Sequence, residues 1–186
     1  MTQRRVFLGS LVRSPALTEL FTDLQQKFAT AGDFKWTRTV DNLHLTWHFF
    51  GAMPEKQIHE LQKVLTPFLS EEIPIMLEIE GVAYFQKKGK PTILYAKLRP
   101  NKALVAYYKK LQTVLFSHGF ISEIKPEFVP HITLARIKKV KPEFYNCIAT
   151  YRHLPETIII HHLKLSIIES VLERQGALYQ ALVIDK

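Results

Sequence analysis

Cysteine is almost missing from this chain of 186 residues, in which Cys147 stands alone. A single thiol cannot close an internal disulfide, and it excludes a zinc site built from several cysteines. Proteins without a disulfide framework are typical of reducing compartments. We therefore expect the protein in the cytoplasm.

Long hydrophobic runs are missing as well. No apolar stretch in the sequence approaches the roughly 20 residues that a membrane-spanning helix needs. The start, MTQRRVFLGSLV, places two arginines before a short apolar stretch, but no small-residue cleavage site follows. We interpret this segment as a first strand rather than a signal peptide, and we expect no membrane partner.

Acidic residues are outnumbered. The chain has 25 Lys and Arg against 17 Asp and Glu, a formal net charge of +8 and a pI near 9.5. This balance favours an anionic partner such as a nucleic acid or a nucleotide, although simple solubility is the alternative. Hydrophobic residues make up 47%, enough for a packed core in one domain or in two small lobes.

A four-residue pattern occurs twice in this composition. Residues 42–50 read NLHLTWHFF and residues 130–136 read PHITLAR, and both contain His-x-Thr in a run of strand-forming residues. Since side chains two apart in a strand share a face, each motif presents its His and Thr together. The alternating apolar residues are expected to face the core: Leu43, Leu45, Trp47 and Phe49 in the first strand, Ile132 and Leu134 in the second.

Helix signals surround both motif strands. Ser14 followed by Pro15 predicts an N-cap and a first helical residue, and Gly32 predicts the end of that helix. Asn101 predicts a second capped helix in the other half of the chain.

The motifs recur at a fixed offset, since His44 and His131 lie 87 positions apart (131 − 44). The same offset carries Ser14 to Asn101. The order strand, helix, motif strand, helix, strand therefore occurs twice, although chance similarity between α+β elements is the alternative. We predict one bilobal domain over residues 1–186, with structural repeats at roughly 4–80 and 92–168 and a final strand at 177–184.

Two facing lobes would bring two His and two Thr side chains into one cleft. Imidazoles with an ordinary pKa near 6.5 can take a proton from water and give one to a leaving oxygen. Threonine hydroxyls can hydrogen-bond the oxygens of a tetrahedral anion. The sequence offers no carboxylate cluster for a Mg²⁺ phosphodiesterase. We expect metal-free opening of a phosphodiester, or its reverse, with no cofactor.

These residues resemble a known family. NLHLTWHFFG and PHITLAR are similar to the two signatures of the two-histidine phosphoesterases, above all the RNA 2′,3′-cyclic phosphodiesterases, also called LigT-type 2′-5′ RNA ligases. RRVFLGSLV, GVAYFQKKGKPTILYAKL and SIIESVLERQGALYQAL resemble further segments of that group. The resemblance implies an α+β fold of two lobes related by a pseudo-twofold, with antiparallel-rich sheets around a central cleft and helices outside.

The resemblance also implies an activity and the residues that perform it. The enzyme would hydrolyse the 2′,3′-cyclic phosphate end of RNA, or of an oligonucleotide, to a 2′-phosphate as a monomer; whether it also ligates is left open. His44 would be the proton donor and His131 the proton acceptor, while Thr46 and Thr133 hold the phosphate. Arg136 would add a cationic contact. Strict alternation puts this arginine on the face opposite the second motif histidine, so its role requires a strand end, a bulge or a side chain that swings round the edge.

A second group of residues is predicted to contact RNA. Phe85 stands before a lysine-rich turn that includes Lys87 and Lys88, and an aromatic beside lysines can stack a base and hold a backbone. The alternative is a solvated hairpin tip. Trp36 is a weaker stacking candidate. His48 is expected on the face of the first motif histidine, roughly 13 Å along the strand, as a rim residue.

Two other functions remain open from the sequence. One is a non-catalytic RNA-binding module, against which the two intact His-x-Thr motifs argue. The other is a cyclic phosphodiesterase for a small nucleotide such as an ADP-ribose cyclic phosphate. The net charge favours a longer polyanion, and the salt dependence of binding separates the two ligand sizes.

Overall fold

The computed structural model describes residues 3–174 and 176–182. Within these ranges the chain forms four α-helices and eleven strands, with a short 3₁₀ turn at Val40–Asn42. In chain order they are β1 (Gln3–Leu11), α1 (Pro15–Lys27), β2 (Gly32–Trp36), β3 (His44–Pro54), α2 (Glu55–Leu69), β4 (Glu72–Ile73), β5 (Leu77–Lys87), β6 (Lys90–Leu98), α3 (Lys102–Ser117), β7 (His131–Val140), α4 (Glu143–Tyr151), β8 (Ile158–Ile160), β9 (Leu163–Lys164), β10 (Ser166–Glu173) and β11 (Gly176–Ala181).

Both predicted helix caps are confirmed. The Oγ of Ser14 accepts a hydrogen bond from the backbone N–H of Leu17, and Pro15 is the first residue of α1. The Oδ1 of Asn101 accepts from two backbone N–H groups in the first turn of α3. These side chains satisfy donors that have no partner within the helix.

One predicted element boundary, the end of the first helix, is wrong, and another, the end of the last strand, lies outside the described residues. Helix α1 ends at Lys27, and Gly32 instead opens β2, a strand that the sequence did not reveal. A Cβ at Gly32 would lie 2.2 Å from the carbonyl oxygen of Lys139, so glycine lets β2 approach β7 closely. The predicted last strand is present as β11, while its expected end at residues 183–184 lies outside the described residues.

The main sheet is antiparallel and, in the described residues, has nine strands, eight of which form a continuous path made of two four-stranded halves. Its order is β11-β10-β1-β3-β7-β6-β5-β8, and β2 pairs with β7 off this path. Strands β3 and β7 meet through one Cα pair, Leu45 with Ile132. The halves therefore diverge from a narrow junction.

Each half of the sheet takes strands from both parts of the chain. Strand β10, late in the sequence, pairs with β1, whereas the earlier β5 pairs with β6. Displacement by 87 positions carries the first residues of β1 and β3 to Lys90 and His131, which are the first residues of β6 and β7. The predicted repeats at 4–80 and 92–168 stay a prediction about the sequence. They do not coincide with the two halves of the sheet, because each half contains strands that begin in the first repeat and strands that begin in the second.

Both motif strands contain a one-residue bulge at equivalent positions. Against β1, the register of β3 skips Trp47, and against β6 the register of β7 skips Leu134. These two residues are again 87 positions apart (134 − 47). A bulge leaves one residue unpaired and changes which side chains share a face.

The core lies between the helices and the sheet face opposite the motif histidines. One cluster of buried apolar residues includes side chains from all four helices and from the long strands. Leu45 and Trp47 belong to it, and the Trp47 Nε1–H donates to the Oγ of Ser10 at 2.9 Å. The expectation that Phe49 also faces the core is wrong: its side chain is 48% exposed, because the bulge at Trp47 reverses the alternation.

Close packing of α4 on β5 generates a stability prediction. A Cβ at Gly81 would lie 2.0 Å from the carbonyl oxygen of Arg152. We expect Gly81→Ala to lower the free energy of unfolding by about 3 kcal/mol, because backbone must move to admit the methyl group. Urea unfolding midpoints at constant m-value measure this loss.

Gly89 supplies the matched control. It has φ +74°, and a methyl group added there would meet no atom within 4 Å. Gly89→Ala therefore adds only left-handed backbone strain, about 1 kcal/mol. Equal losses in the two variants would mean that the contact between α4 and β5 relaxes without strain.

Candidate active site

A cavity of about 310 Å³ opens where β3 and β7 diverge. His44 and Thr46 line it from β3, and Thr133 and Arg136 line it from β7. His131 adjoins this lining on the same strand, two residues before Thr133. The cavity is further bordered by Arg5, Phe7, Lys35, Trp36, Thr37, Arg38, Phe49, Ile93, Ser170, Leu172, Gly176, Ala177 and Tyr179. Three of the four predicted His and Thr residues thus line one cavity, and the fourth, His131, adjoins it and is near enough to interact electrostatically with His44.

The two motif histidines are anchored in the same way. Nδ1 of His44 lies 2.7 Å from the carbonyl oxygen of Asn42, and Nδ1 of His131 lies 2.8 Å from that of Val129. In each case the ring N–H at Nδ1 donates to the backbone two residues earlier. This fixes the tautomer and leaves Nε2 as the nitrogen that can accept or deliver a proton.

Aromatic rings hold the first histidine in place. The ring of Phe7 lies 4.9 Å from that of His44, Tyr179 meets His44 edge-on at 4.7 Å, and the rings of Phe7 and Tyr179 also contact each other at 5.3 Å. Tyr179 belongs to β11, the last strand of this half of the sheet. Rotation of the imidazole is therefore restricted by strands β1 and β11.

The second histidine has an equivalent support in the other half. Phe85 meets the ring of His131 edge-on at 4.8 Å, and Tyr95 lies 5.4 Å away. Phe85 also stacks on Tyr95 at 4.3 Å. In the structure Phe85 supports the motif histidine, while base stacking on it stays a prediction.

Burial lowers the pKa of both motif histidines. For His44 burial is the largest cause, the backbone hydrogen bond opposes it, and the charge of His131 lowers the pKa further. For His131 burial again outweighs the opposing hydrogen bond to Val129. Both imidazoles of the free protein are therefore mainly neutral near pH 7. An anion in the cleft would favour the protonated form and raise these pKa values.

The bulge at Leu134 places Arg136 in the cleft. The register of β7 against β6 passes from Thr133 to Ala135, so Arg136 falls on the same face as Thr133. Of the three possibilities that the sequence left for this arginine, the bulge is the one observed. Thr37 supports it, because its hydroxyl donates to the carbonyl of Thr133 and its N–H donates to the carbonyl of Leu134.

The predicted place of His48 is wrong. Its Nδ1 accepts from the side-chain amide of Gln112, a buried residue of α3, at 3.2 Å. The bulge at Trp47 turns it from the face of His44 towards the helices. Burial, helped by the nearby charge of Lys125, lowers its pKa to about 4.

The remaining predicted RNA contacts lie at or beyond the rim of the cleft. Trp36 borders the cavity, but its ring also packs edge-on against Phe21 at 5.7 Å. The predicted lysine-rich turn is confirmed: Lys87 pairs with Lys90, and Lys88 has φ 51°. Neither Lys87 nor Lys88 borders the cavity, and their contact with RNA stays a prediction.

Several residues of the cleft escaped the sequence analysis. Lys35 and Thr37 depend on β2, which the sequence did not reveal, and Tyr179 depends on the pairing of β10 with β11. A signal did exist for Phe49, because the offset of 87 pairs it with Arg136. Because each motif strand has a bulge at the equivalent position, Phe49 in β3 and Arg136 in β7 occupy equivalent positions on the cleft face. The first is an aromatic residue and the second a cation.

Metal-binding clusters and membrane-spanning helices are both absent from the described residues. Within residues 3–174 and 176–182, no group of three or more His, Cys, Asp or Glu side chains is arranged to hold a metal ion. The same part of the chain contains no helix with the length and hydrophobicity to cross a membrane.

Known proteins share this architecture. The crystal structure of TT0787 from Thermus thermophilus superimposes with a TM-score of 0.69 at 22% identity, covering 96% of this chain and 95% of that one. Escherichia coli LigT complexed with 3′-AMP gives a TM-score of 0.64 at 17% identity over 98% and 97%. At such identities these structures establish the fold, which confirms the predicted α+β class.

Sequence comparison supplies the family. An RNA 2′,3′-cyclic phosphodiesterase of Thermotoga maritima is 29% identical over 142 residues, 76% of this chain and 74% of that protein. A protein of the same name from Aquifex aeolicus is 24% identical over 176 residues, 94% and 93%. The family model of the 2′-5′ RNA ligase superfamily matches residues 14–170, most of the length. The chain belongs to the 2′-5′ RNA ligase superfamily.

Proposed function

We propose that this protein hydrolyses the 2′,3′-cyclic phosphate end of RNA to a 2′-phosphate by metal-free acid–base catalysis. The observation that carries the proposal is the pair of motif histidines, each with Nδ1 bound to a backbone carbonyl and each beside a threonine of the same cleft. The relatives from Thermotoga maritima and Aquifex aeolicus bear the name of this activity.

The proposed reaction needs one neutral and one protonated imidazole. Nε2 of His131 takes a proton from water as the water oxygen bonds to phosphorus. Nε2–H of His44 gives its proton to the ribose 3′-oxygen as the bond between phosphorus and that oxygen breaks. The 2′-phosphate leaves with both histidines in the opposite protonation state, and exchange with solvent restores them.

Neutral and cationic donors would stabilise the transition state. The hydroxyls of Thr46 and Thr133 would hydrogen-bond the non-bridging oxygens, on which negative charge builds up. Arg136 would add a charge-assisted contact. With a ribose 5′-hydroxyl in place of water and the same histidine roles, the same arrangement would join the cyclic end to that hydroxyl through a 2′-5′ phosphodiester.

RNA is the proposed partner because of the charge of the cleft. Arg5, Lys35, Arg38 and Arg136 border it, and the lining residues within the described part of the chain include no Asp or Glu. A basic cleft of this kind suits a polyanion better than a neutral ligand. We propose a monomer that acts in the cytoplasm, as expected from the sequence.

Removal of either motif histidine tests the proposal directly. The substrate is an RNA oligonucleotide with a 2′,3′-cyclic phosphate end, incubated with EDTA, and the product is identified by its 2′-phosphate. We expect His44→Ala and His131→Ala each to lower kcat by about 10²- to 10⁴-fold, the usual contribution of a general acid or base.

The control is His59→Ala, which removes an exposed histidine of the outer helix α2. It should retain the activity of the unaltered protein. If the unaltered protein is inactive but binds RNA tightly and with strong salt dependence, a non-catalytic RNA-binding module becomes the better interpretation. Turnover abolished by EDTA would contradict the metal-free mechanism.

A sulfur leaving group tests which histidine is the acid. A thiolate leaves without protonation more easily than an alkoxide, so a substrate with sulfur in place of the ribose 3′-oxygen bypasses the proton donor. We expect His44→Ala to recover to within about tenfold of the unaltered protein on this substrate, while His131→Ala keeps its full defect of about 10²-fold or more. The reverse pattern would exchange the two assignments.

The lowered pKa values predict an acidic optimum. The free enzyme is active when one histidine is protonated and the other neutral, so kcat/KM peaks midway between their two pKa values. Because burial lowers both, we expect the kcat/KM optimum below the ordinary histidine pKa of about 6.5.

The profile of kcat should differ in a defined direction. A bound anionic phosphate favours protonated imidazole, so the kcat optimum should lie at higher pH than that of kcat/KM. NMR titration of the two imidazoles, with and without a nucleoside 2′-phosphate, measures the same shift. Coincident optima, or a kcat/KM optimum above about 7, would show that these histidines do not control the profile.

A further inference from the structure

Two cations face each other at the edge of the cleft. Lys35 of β2 and Arg136 of β7 are Cα partners across the antiparallel pair, and both side chains are exposed and border the cavity. Like charges directly opposite each other destabilise a sheet. Within the described part of the chain neither side chain forms an ion pair, so nothing there offsets this repulsion.

Carboxylates are present nearby, yet they bind other cations. Lys138 lies 3.5 Å from a carboxylate oxygen of Asp33, and Arg38 forms an ion pair with Glu173. These acidic residues neutralise the neighbours of the Lys35–Arg136 pair and leave the pair itself charged. Two uncompensated cations beside a catalytic cleft point to an anionic ligand.

The cation pair lies beyond the phosphate position proposed above. Because Leu134 is bulged, Arg136 is two paired steps along β7 from Thr133, or about 7 Å. Arg136 is long enough to reach back to a phosphate at Thr133, whereas Lys35 stands one strand further out. The Lys35 stem passes Gly176, where Cε lies 3.9 Å from the position of an added Cβ, and this places it at the mouth of the cleft.

A 2′,3′-cyclic phosphate carries one negative charge. Thr46, Thr133 and Arg136 already supply enough contacts for that single charge. A second cation further away, Lys35, would therefore bind a second anionic group. We propose that Lys35, together with Arg136, binds the phosphodiester that joins the terminal nucleotide to the rest of the RNA. This inference rests on the proposed function, and it deepens it: the preferred substrate is an oligonucleotide of at least two nucleotides, not a nucleoside cyclic phosphate.

Substrate length and Lys35→Met together test the proposal. The substrates are adenosine 2′,3′-cyclic phosphate, which has no second phosphate, and the dinucleotide ApA with the same cyclic end. The unaltered protein should show at least about tenfold higher kcat/KM on the dinucleotide, the effect of one charge-assisted contact. Lys35→Met should lose about tenfold on the dinucleotide and less than about threefold on the mononucleotide, and Lys35→Arg should restore the preference.

Salt dependence provides a readout that does not require turnover. The probes are the corresponding products, ApA with a 2′-phosphate end and adenosine 2′-phosphate. For the dinucleotide the slope of log Kd against log salt should be less steep by about 0.7 in Lys35→Met, the loss of one phosphate contact on a single strand. For adenosine 2′-phosphate the slope should not change.

Two controls separate the local contact from other effects. Lys63→Met removes the same charge from the outer helix α2, and it should change neither the length preference nor the salt slope. The unfolding midpoint of Lys35→Met should not fall, because the substitution removes a repulsion from the sheet.

Three results would overturn the inference. Equal kcat/KM for both lengths in the unaltered protein would mean that no second phosphate is bound productively, and equal losses on both in Lys35→Met would assign Lys35 to the reacting phosphate. A preference for an ADP-ribose cyclic phosphate over the dinucleotide would assign the second phosphate to a diphosphate. If no cyclic phosphate is hydrolysed, the proposed function fails, while the binding slopes still decide whether Lys35 holds a second phosphate.

Discussion

A single backbone pairing, Leu45 with Ile132, positions the chemistry of this protein. Each of these apolar residues lies between a histidine and a threonine in its strand and points into the core. The histidine and threonine that flank each of them point to the opposite face of the sheet. Pairing of the two core residues therefore brings both His-x-Thr motifs together. Four side chains from distant parts of the chain meet in one cleft because two hydrophobic residues must be buried side by side.

Two bulges then determine what surrounds those four residues. At Trp47 and Leu134 one residue drops out of the pairing, and the side chains that follow change face up to a second register shift, at Phe50 in β3 and at Lys138 in β7. The bulges bring Phe49 and Arg136 to equivalent places on opposite walls, so the cleft is symmetrical in its histidines and threonines but asymmetrical beyond them. A substrate in this cleft would meet the Phe49 ring, with Arg5 4.9 Å above it, on one wall and Arg136 on the other.

The electrostatics of the cleft follow from the same geometry. Burial among aromatic rings lowers the pKa of both histidines in the free protein. Among residues 3–174 and 176–182, no carboxylate forms an ion pair with the Lys35–Arg136 pair at the rim. The free site is thus prepared to receive negative charge rather than to hold protons. In the reaction proposed above, a bound phosphate would supply the negative charge that stabilises a protonated histidine, and substrate binding would thereby be coupled to the acid–base step.

The sequence by itself determined the two His-x-Thr strands, the capped helices and the offset of 87, because these depend on local spacing, capping and alternation. Alternation alone could not bring Arg136 or Phe49 to the cleft face, nor turn His48 away from it, since a bulge arises from pairing with a neighbouring strand. Lys35 was likewise invisible, because β2 exists only through its pairing with β7. Register between strands is a property of the tertiary structure, and register decided which side chains face the cleft.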